Sequence, residues 1–377
     1  MKILLQQFLG KNHSWSVVGR NIANTLINKG HDVHLFSTNG TSYIPPELRK
    51  HLIGYVEENQ PQNVFGRLPD SNYDCQISYT ALKNFQNYLS RGTKNRFGIW
   101  CYEFAGKNSL PTGFAKNYKY CDKLLPPSQF AKRVFLESKI PESAMEVVPH
   151  GFDAAKFIDQ SRPKYDLGTN KRFKILANIA QPHIRKNLEG IFEAYGNAFT
   201  SKDDVCLVLK VVDKPATINF EVSFKDLYNE FGSKFKNHGQ VKVISEFVDD
   251  IDTVYRSCDA LLSLSRSECF HFPSLEALAS QNIVIASNWG GQLDFLDNNN
   301  SLLVSGTEVL APARALYWEQ KNGTYYFQPN IDDAVEKLRF AYNNTDELKN
   351  KFSENSKKVV AEHSWDKIVD KIMALCK

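Results

Sequence analysis

Short apolar runs alternate with helix-patterned stretches along this chain, and the alternation stops near the middle and starts again. Lys2 to Phe8 reads as a strand, Trp15 to Lys29 as a helix closed by Gly30, and Asp32 to Ser37 as a second strand. Further strands are expected at Cys75 to Tyr79, Arg96 to Trp100 and Lys123 to Pro126, with a helix from Ser128 to Ser138. The segment Val147-Val148-Pro149-His150-Gly151-Phe152-Asp153 then brackets a histidine with Pro and Gly, and irregular polar residues follow, as in a linker. The pattern restarts with a strand at Phe173 to Ile179, a helix at Leu188 to Phe199 capped by Asn187, and strands at Val205 to Val212 and Val241 to Glu246. A helix at Ile251 to Arg256, a buried strand within Asp259 to Ser265 and another strand at Ile283 to Ala286 continue it. Such alternation builds parallel sheets covered by helices, and 377 residues exceed one ordinary core. The expected fold class is α/β, with two Rossmann-like domains facing across a cleft. The first spans residues 1–152 and the second 170–358, and the helical tail from about 360 to 377 crosses back onto the first.

The strand before Ser265 leads into Glu268-Cys269-Phe270-His271-Phe272-Pro273-Ser274-Leu275-Glu276. Pro273 suits a first helical position, and good helix formers follow it to Ser280. Glu268 is therefore expected on a loop at the carboxyl end of a strand, and Glu276 on the first turn of the next helix, facing the crevice where open α/β sheets bind ligands. Free N–H groups from Phe272 to Leu275 can take phosphate oxygens at the positive end of the helix, and a carboxylate one turn in can receive a ribose diol. Together they suggest a nucleotide diphosphate with a sugar near Glu268. Taken alone, the pair is equally a solvated loop residue and a helix-dipole partner worth about 0.3 to 1 kcal/mol.

A second group follows the first strand of the second half, in Gln181-Pro182-His183-Ile184-Arg185-Lys186-Asn187. Arg185 and Lys186 fall at the carboxyl edge of the sheet, where a diphosphate would lie between them and the Pro273 helix. Attraction that grows as phosphate leaves a sugar is catalytic rather than merely adhesive. A solvated basic loop is the bland alternative.

Composition excludes several classes. A net charge of +4 is too mild for nucleic-acid binding, and leaves room for an anionic substrate or loose contact with an acidic membrane surface. No apolar stretch reaches membrane-spanning length and the first residues do not read as a signal peptide, so a cytoplasmic setting is expected. Seven scattered cysteines without a C-x-x-C pair read as reduced thiols, with Cys269 a small packing residue. The loop after the first strand lacks G-x-G-x-x-G, which counts against a nicotinamide or flavin cofactor. Asp250-Ile251-Asp252 imitates a metal-binding D-x-D, but precedes a helix and reads as capping charge.

Gly30-His31-Asp32-Val33, Pro127-Ser128-Gln129-Phe130-Ala131, the Val147 to Asp153 segment, Arg185-Lys186-Asn187, Glu268 to Glu276 and Ser287-Asn288-Trp289-Gly290-Gly291 occur in this order over nearly the whole chain. In this the chain resembles the retaining glycosyltransferases of family 4, of GT-B architecture. The resemblance implies that Arg185 and Lys186 hold the donor diphosphate, that Glu276 binds the nucleotide ribose, and that Glu268 lies by the donor sugar with the backbone of His271, Phe272, Pro273 and Ser274. It implies a nucleotide-sugar co-substrate, a glycan, glycolipid or glycoprotein acceptor, and no metal or other cofactor.

The chain departs from that family at Asn178, where many relatives have arginine, and at Glu103, nearest to where many have histidine. Glu103 either orients an acceptor hydroxyl or is a structural carboxylate. His13 and Trp15 either line the acceptor pocket or start a helix, and Trp100 and Tyr102 suit glycan stacking or a core equally. His150 reads as a backbone-bonding residue. A nucleotide-sugar epimerase, a phosphorylase and a non-catalytic sugar-nucleotide binding module are the competing readings.

Overall fold

The structure is a computed structural model that describes residues 1–10, 14–57, 60–66, 69, 72–89, 94–107, 109–212, 221–317 and 323–376. It divides into two compact units. One comprises residues 1–102, 107–152 and 363–377, the other 103–106 and 153–362. Residues 153–169, read as linker, count with the second unit.

The first unit runs β1 (Lys2–Gln7), α1 (Ser14–Asn28), β2 (Asp32–Ser37), α2 (Pro46–Arg49), β3 (Leu52–Glu57), β4 (Gln60–Gly66), β5 (Cys75–Tyr79), α3 (Phe85–Tyr88), β6 (Arg96–Ile99), β7 (Lys123–Leu125) and α4 (Gln129–Glu137). Its sheet has the order β4-β3-β2-β1-β5-β6-β7, parallel except for the edge pair β3–β4. Ile3, Leu4 and Leu5 are all buried, as a parallel strand covered on both faces requires. Ser128 caps α4, its Oγ accepting from the Ala131 N–H at 3.1 Å.

The second unit runs α5 (Ala155–Ile158), β8 (Phe173–Ala180), α6 (Leu188–Ala198), β9 (Val205–Val211), α7 (Phe224–Lys234), β10 (Gln240–Ile244), α8 (Asp252–Arg256), β11 (Ala260–Ser263) and α9 (Phe272–Ala279). It continues through β12 (Ile283–Ser287), β13 (Ser301–Val304), β14 (Gly306–Leu310), β15 (Tyr325–Pro329), α10 (Ile331–Asn343) and α11 (Thr345–Glu362). Its six-stranded sheet is wholly parallel, in the order β10-β9-β8-β11-β12-β13. The chain steps outward from β8 to β10, then returns to β11 on the other side. The β8–β11 boundary is thus a topological switch point, where the loops after two adjacent parallel strands part and leave a crevice.

The last helix, α12 (Trp365–Met373), counts with the first unit. Lys29 meets its Asp366 at 3.4 Å and Asp370 at 2.9 Å. A Cβ on Gly151 would come within 2.4 Å of the Trp365 ring, so glycine there is a packing requirement. No helix among the described residues is long and apolar enough to cross a membrane.

Candidate active site

Asn187 shapes the loop after β8. It sits at φ 54°, a left-handed conformation that asparagine tolerates, and its Oδ1 accepts from the Gly190 N–H at 3.2 Å to start α6. Its Nδ2 donates to the Leu264 carbonyl at 3.0 Å, tying this loop to the one after β11. The Arg266 N–H adds a bond to the Arg185 carbonyl at 2.7 Å. Two loops that diverge from adjacent strands are thereby stitched together, and the turn Ile184–Lys186 is held against Glu268.

Glu268, 7% exposed, receives the cations on one oxygen: Lys186 Nζ is 2.7 Å from Oε1 and Arg185 Nη1 2.9 Å. The Ser265 hydroxyl donates to the same oxygen at 2.9 Å. Burial raises the affinity of Glu268 for a proton, but Arg185 and Lys186 outweigh it and hold the carboxyl well below the usual range. For Lys186 the balance differs: burial, joined by the neighbouring Arg185 charge, lowers its pKa against the pull of Glu268. Arg185 remains firmly ionised, because Glu268, Tyr317 and Glu103 overcome the burial that opposes its charge. Its Nε donates to the Tyr317 hydroxyl at 2.5 Å and its Nη1 to the Ser267 carbonyl at 3.1 Å.

Glu103, four residues after β6, joins this cluster and counts with the second unit. Its Oε1 is 3.9 Å from Arg185 Nη2, and its carbonyl accepts from the Ser267 hydroxyl. The physical reason is local pairing: Ala105 bridges Tyr325 in antiparallel fashion, so residues 103–106 travel with β15.

His271 begins α9 at φ 80°, ψ 70°, a strained conformation for a residue with a Cβ. Ser263 Oγ at 3.0 Å and Ser274 Oγ at 2.7 Å hold its two ring nitrogens. Burial lowers its pKa to about 4, so the ring is neutral at physiological pH. Two details of the expected helix start are corrected. Pro273 is the second helical residue, not the first, and the Ser274 N–H is already bonded to the His271 carbonyl at 3.2 Å. Glu276 accordingly lies on the second turn of α9, not the first.

Glu276 is half-buried beside Tyr255, whose side chain is fully buried. Burial pushes the Glu276 carboxyl up to about 7, against a hydrogen bond from the Tyr255 hydroxyl that favours the ionised form. That hydroxyl in turn accepts from Asn178 Nδ2 at 2.9 Å. Asn178, on β8, is thus linked through Tyr255 to Glu276, on α9.

The structure therefore brings the charged Arg185, Lys186, Glu268 and Glu103 together beside the neutral His271, and sets Asn178, Tyr255 and Glu276 in a hydrogen-bonded row. Among the acceptor-side residues, Trp15 lies on α1, partly buried and stacked on Tyr79 with ring centroids 5.1 Å apart. His13 lies outside the described residues. Trp100 and Tyr102 are fully buried and serve the core. His150 is buried, and its Nε2 meets the side chains of Tyr79 at 3.2 Å and Cys101 at 3.3 Å.

Asp252 falls in the first turn of α8, the place the capping reading gives its charge, though no side-chain bond caps the helix. Asp252 is buried and paired with Arg256 at 2.5 Å and Arg162 at 3.4 Å, while Asp250 meets Lys156 at 2.9 Å. The sequence reading missed Tyr255, Tyr317 and Arg266. Arg266, directly before Ser267 and Glu268, was the one with a local signal; Tyr255 and Tyr317 come from distant segments with none.

Residues 159–359, more than half of the chain, match the family described as glycosyl transferases group 1, and the chain belongs to that family. A lipopolysaccharide 1,2-N-acetylglucosaminetransferase of Salmonella typhimurium is 25% identical over 184 residues, which are 46% of this chain and 46% of that enzyme. The chain thus spans a little under half the length of that curated relative. A solved glycosyltransferase from Rickettsia africae ESF-5 matches with a TM-score of 0.70 at 19% identity, covering 100% of this chain and 98% of that one. HepE of Anabaena, solved in complex with UDP-glucose, matches with a TM-score of 0.67 at 15% identity, over 99% of this chain and 98% of that one. These likenesses are of fold, that of the GT-B glycosyltransferases.

Proposed function

We propose that the chain is a retaining, metal-independent glycosyltransferase that moves a hexose-type sugar from a nucleotide diphosphate donor to a hydroxyl of a glycan or glycoconjugate. The observation that carries this reading is the Arg185–Lys186–Glu268 cluster at the switch point, beside the start of α9. A diphosphate lying there meets two cations and the positive end of a helix, and each charge-assisted hydrogen bond contributes about 1.5 to 3 kcal/mol. Glu276 takes the ribose hydroxyls. UDP is the first nucleotide to test, since HepE is solved with UDP-glucose.

Transfer with retention needs no strong protein base. The departing phosphate takes the acceptor proton, while Arg185 and Lys186 stabilise its growing charge. Glu268, ionised and fixed by three donors, orients the sugar and steadies positive charge at the anomeric carbon. Metal independence is supported by Asp250 and Asp252, whose carboxylates are engaged by Lys156, Arg162 and Arg256. On the acceptor side, Trp15, partly exposed and stacked on Tyr79, is the aromatic candidate for contact with a sugar ring.

The test is a panel of nucleotide sugars, read by slow donor hydrolysis and by thermal stabilisation, because a bound donor stabilises only the folded state. A donor that stabilises the chain and is hydrolysed without acceptor supports the reading. Stabilisation without any turnover identifies a binding module instead, and phosphate-dependent cleavage a phosphorylase. The anomeric configuration of a transfer product, read by proton NMR, decides between retention and inversion.

A further inference from the structure

The parallel sheet of the second unit has two edges, and the site described above uses only the carboxyl one. At the amino edge lies a cavity of about 190 Å³, walled by the starts of β8, β11 and β12 and by the ends of α8 and α9. Five cations line it, Lys164, Arg172, Lys174, Arg256 and Lys349, against one carboxylate, Asp259. Lys349 is paired with Asp259 at 2.8 Å, and Arg256 with Asp252 at 2.5 Å. The side chains of Lys164, Arg172 and Lys174 have no carboxylate partner among the described residues, although Arg172 Nη2 donates to the Tyr342 carbonyl at 3.1 Å. Arg172 also lies over the Tyr342 ring, 4.6 Å from its centroid.

Two buried groups in these walls lack partners. Arg256, 3% exposed, leaves its Nε without an acceptor, and Ser280, 5% exposed, leaves its Oγ unbonded. Both atoms are closed off from solvent, so what a ligand in the cavity can meet is the set of lining cations. The remaining wall is made of Gln160, Ser257, Cys258, Gln281 and Asn282, polar apart from the thiol, and among the described residues it contains no aromatic ring on which a base could stack. The volume is also below the roughly 300–1,000 Å³ of sites for larger ligands.

We propose that this cavity binds a compact phosphate ester of a polyol or sugar, the phosphate on Lys164, Arg172 and Lys174 and the hydroxyls toward Ser280 and the ends of α8 and α9. Charge-assisted bonds recognise the phosphate, and the helix-terminal carbonyls accept from the hydroxyls. The simpler account is that the cations only offset the negative ends of the two helices. The two accounts differ in whether a ligand binds.

Glycerol 3-phosphate titrated calorimetrically into the full chain separates them. Saturable binding is expected, lost at least tenfold in the double variant Arg172→Ala/Lys174→Ala, and unchanged in Lys186→Ala, which alters only the carboxyl-edge site. Melting temperatures show whether the double variant is folded, and Lys164→Glu, at an exposed position, gives the same reading if it is not. No saturation by about 10 mM, or unaltered affinity in the amino-edge variants, overturns the proposal. Loss in Lys186→Ala would assign the binding to the other edge. Equal affinity for inorganic phosphate would remove the polyol from the inference.

Discussion

Lys186 Nζ lies 2.7 Å from Glu268 Oε1, the same oxygen that Arg185 Nη1 approaches at 2.9 Å. Glu268 therefore competes with any diphosphate for both cations. Replacing Glu268 with glutamine frees them for phosphate while removing the charge beside the sugar. Glu268→Gln should keep or tighten UDP affinity, and lower turnover by a hundredfold or so, about 2.7 kcal/mol of barrier. Calorimetry with UDP and steady-state kinetics check the two halves. Weaker nucleotide binding at unchanged turnover would place Glu268 on the nucleotide.

Lys186 presents the opposite case. Burial lowers its pKa, so its charge is held in place at a cost that only a counter-anion offsets. In Lys186→Ala, Glu268 keeps Arg185 and the Ser265 hydroxyl, so the fold should survive. Donor affinity should fall roughly ten- to a hundredfold, the size of one charged hydrogen bond. A donor KM equal to the wild type in the folded variant would reject a diphosphate at this position.

Glu276 makes both binding and stability depend on pH. Its folded pKa is about 7 against an ordinary 4.5, raised chiefly by burial. The stability this contributes is complete below the unfolded value and is lost as pH rises through the folded one, a change on the order of 3 kcal/mol. Glu276→Gln should abolish that decline, so the variant gains melting temperature over the wild type between pH 5 and pH 8. UDP affinity should rise through pH 7 in the wild type, as the carboxylate forms to receive the ribose hydroxyls, and stay flat in the variant. Parallel pH profiles in the two proteins would remove Glu276 from the nucleotide.

The alternation of elements was legible because each rests on local physics. Asp32–Ser37 and Cys75–Tyr79 are short runs between turn residues, mostly buried in the parallel part of one sheet, and Asn187 and Ser128 cap the helices they precede. The β3–β4 edge pair was not foreseen, since its residues are largely half-exposed and lack clear alternation. Arg185, Lys186 and Glu268 were found because loop chemistry follows strand ends. What the sequence could not tell is that Glu268 binds both cations, since that depends on loops joined across 82 positions. Tyr255 was missed, and the partners of Glu103 were not legible, for the same reason: their partners are set by β8–β11 and Ala105–Tyr325 pairing, not by neighbours in the chain.

Gly290 and Gly291 limit how the Glu268 loop can move. Gly290 sits at φ 99°, and a Cβ on Gly291 would lie 1.7 Å from the Cys269 carbonyl oxygen, closer than any non-bonded contact. The Gly291 N–H also donates to the Glu268 carbonyl at 2.8 Å. Gly291→Ala must therefore displace residues 268–270, destabilising the chain by roughly 1–3 kcal/mol or more. A melting temperature lowered by several degrees, with a loss of turnover larger than the loss of UDP affinity, is the expected pair of results. A variant with wild-type melting and kinetics would show that this loop yields freely.

Arg266 tests whether the cations need more than their own charge. It is 7% exposed and touches no candidate ligand position, yet its Nη1 donates to the Ile184 carbonyl at 2.9 Å and its Nη2 to Glu189 at 2.8 Å. Its Nε donates to Gln328 at 3.2 Å, and its carbonyl accepts from the Phe327 N–H at 2.8 Å. The side chain thus fixes the turn that presents Arg185 and Lys186 and anchors it to β15. Arg266→Ala leaves Lys186 and Glu268 intact but frees the turn, so the two cations should meet the departing phosphate less well than the resting donor. Turnover should drop roughly tenfold or more while donor KM changes less, and Arg266→Lys should recover part of the loss through the Ile184 bond. Were Arg266→Ala to raise KM alone and Arg266→Lys to behave identically, Arg266 would be acting only as background charge, and the positioning argument would fail.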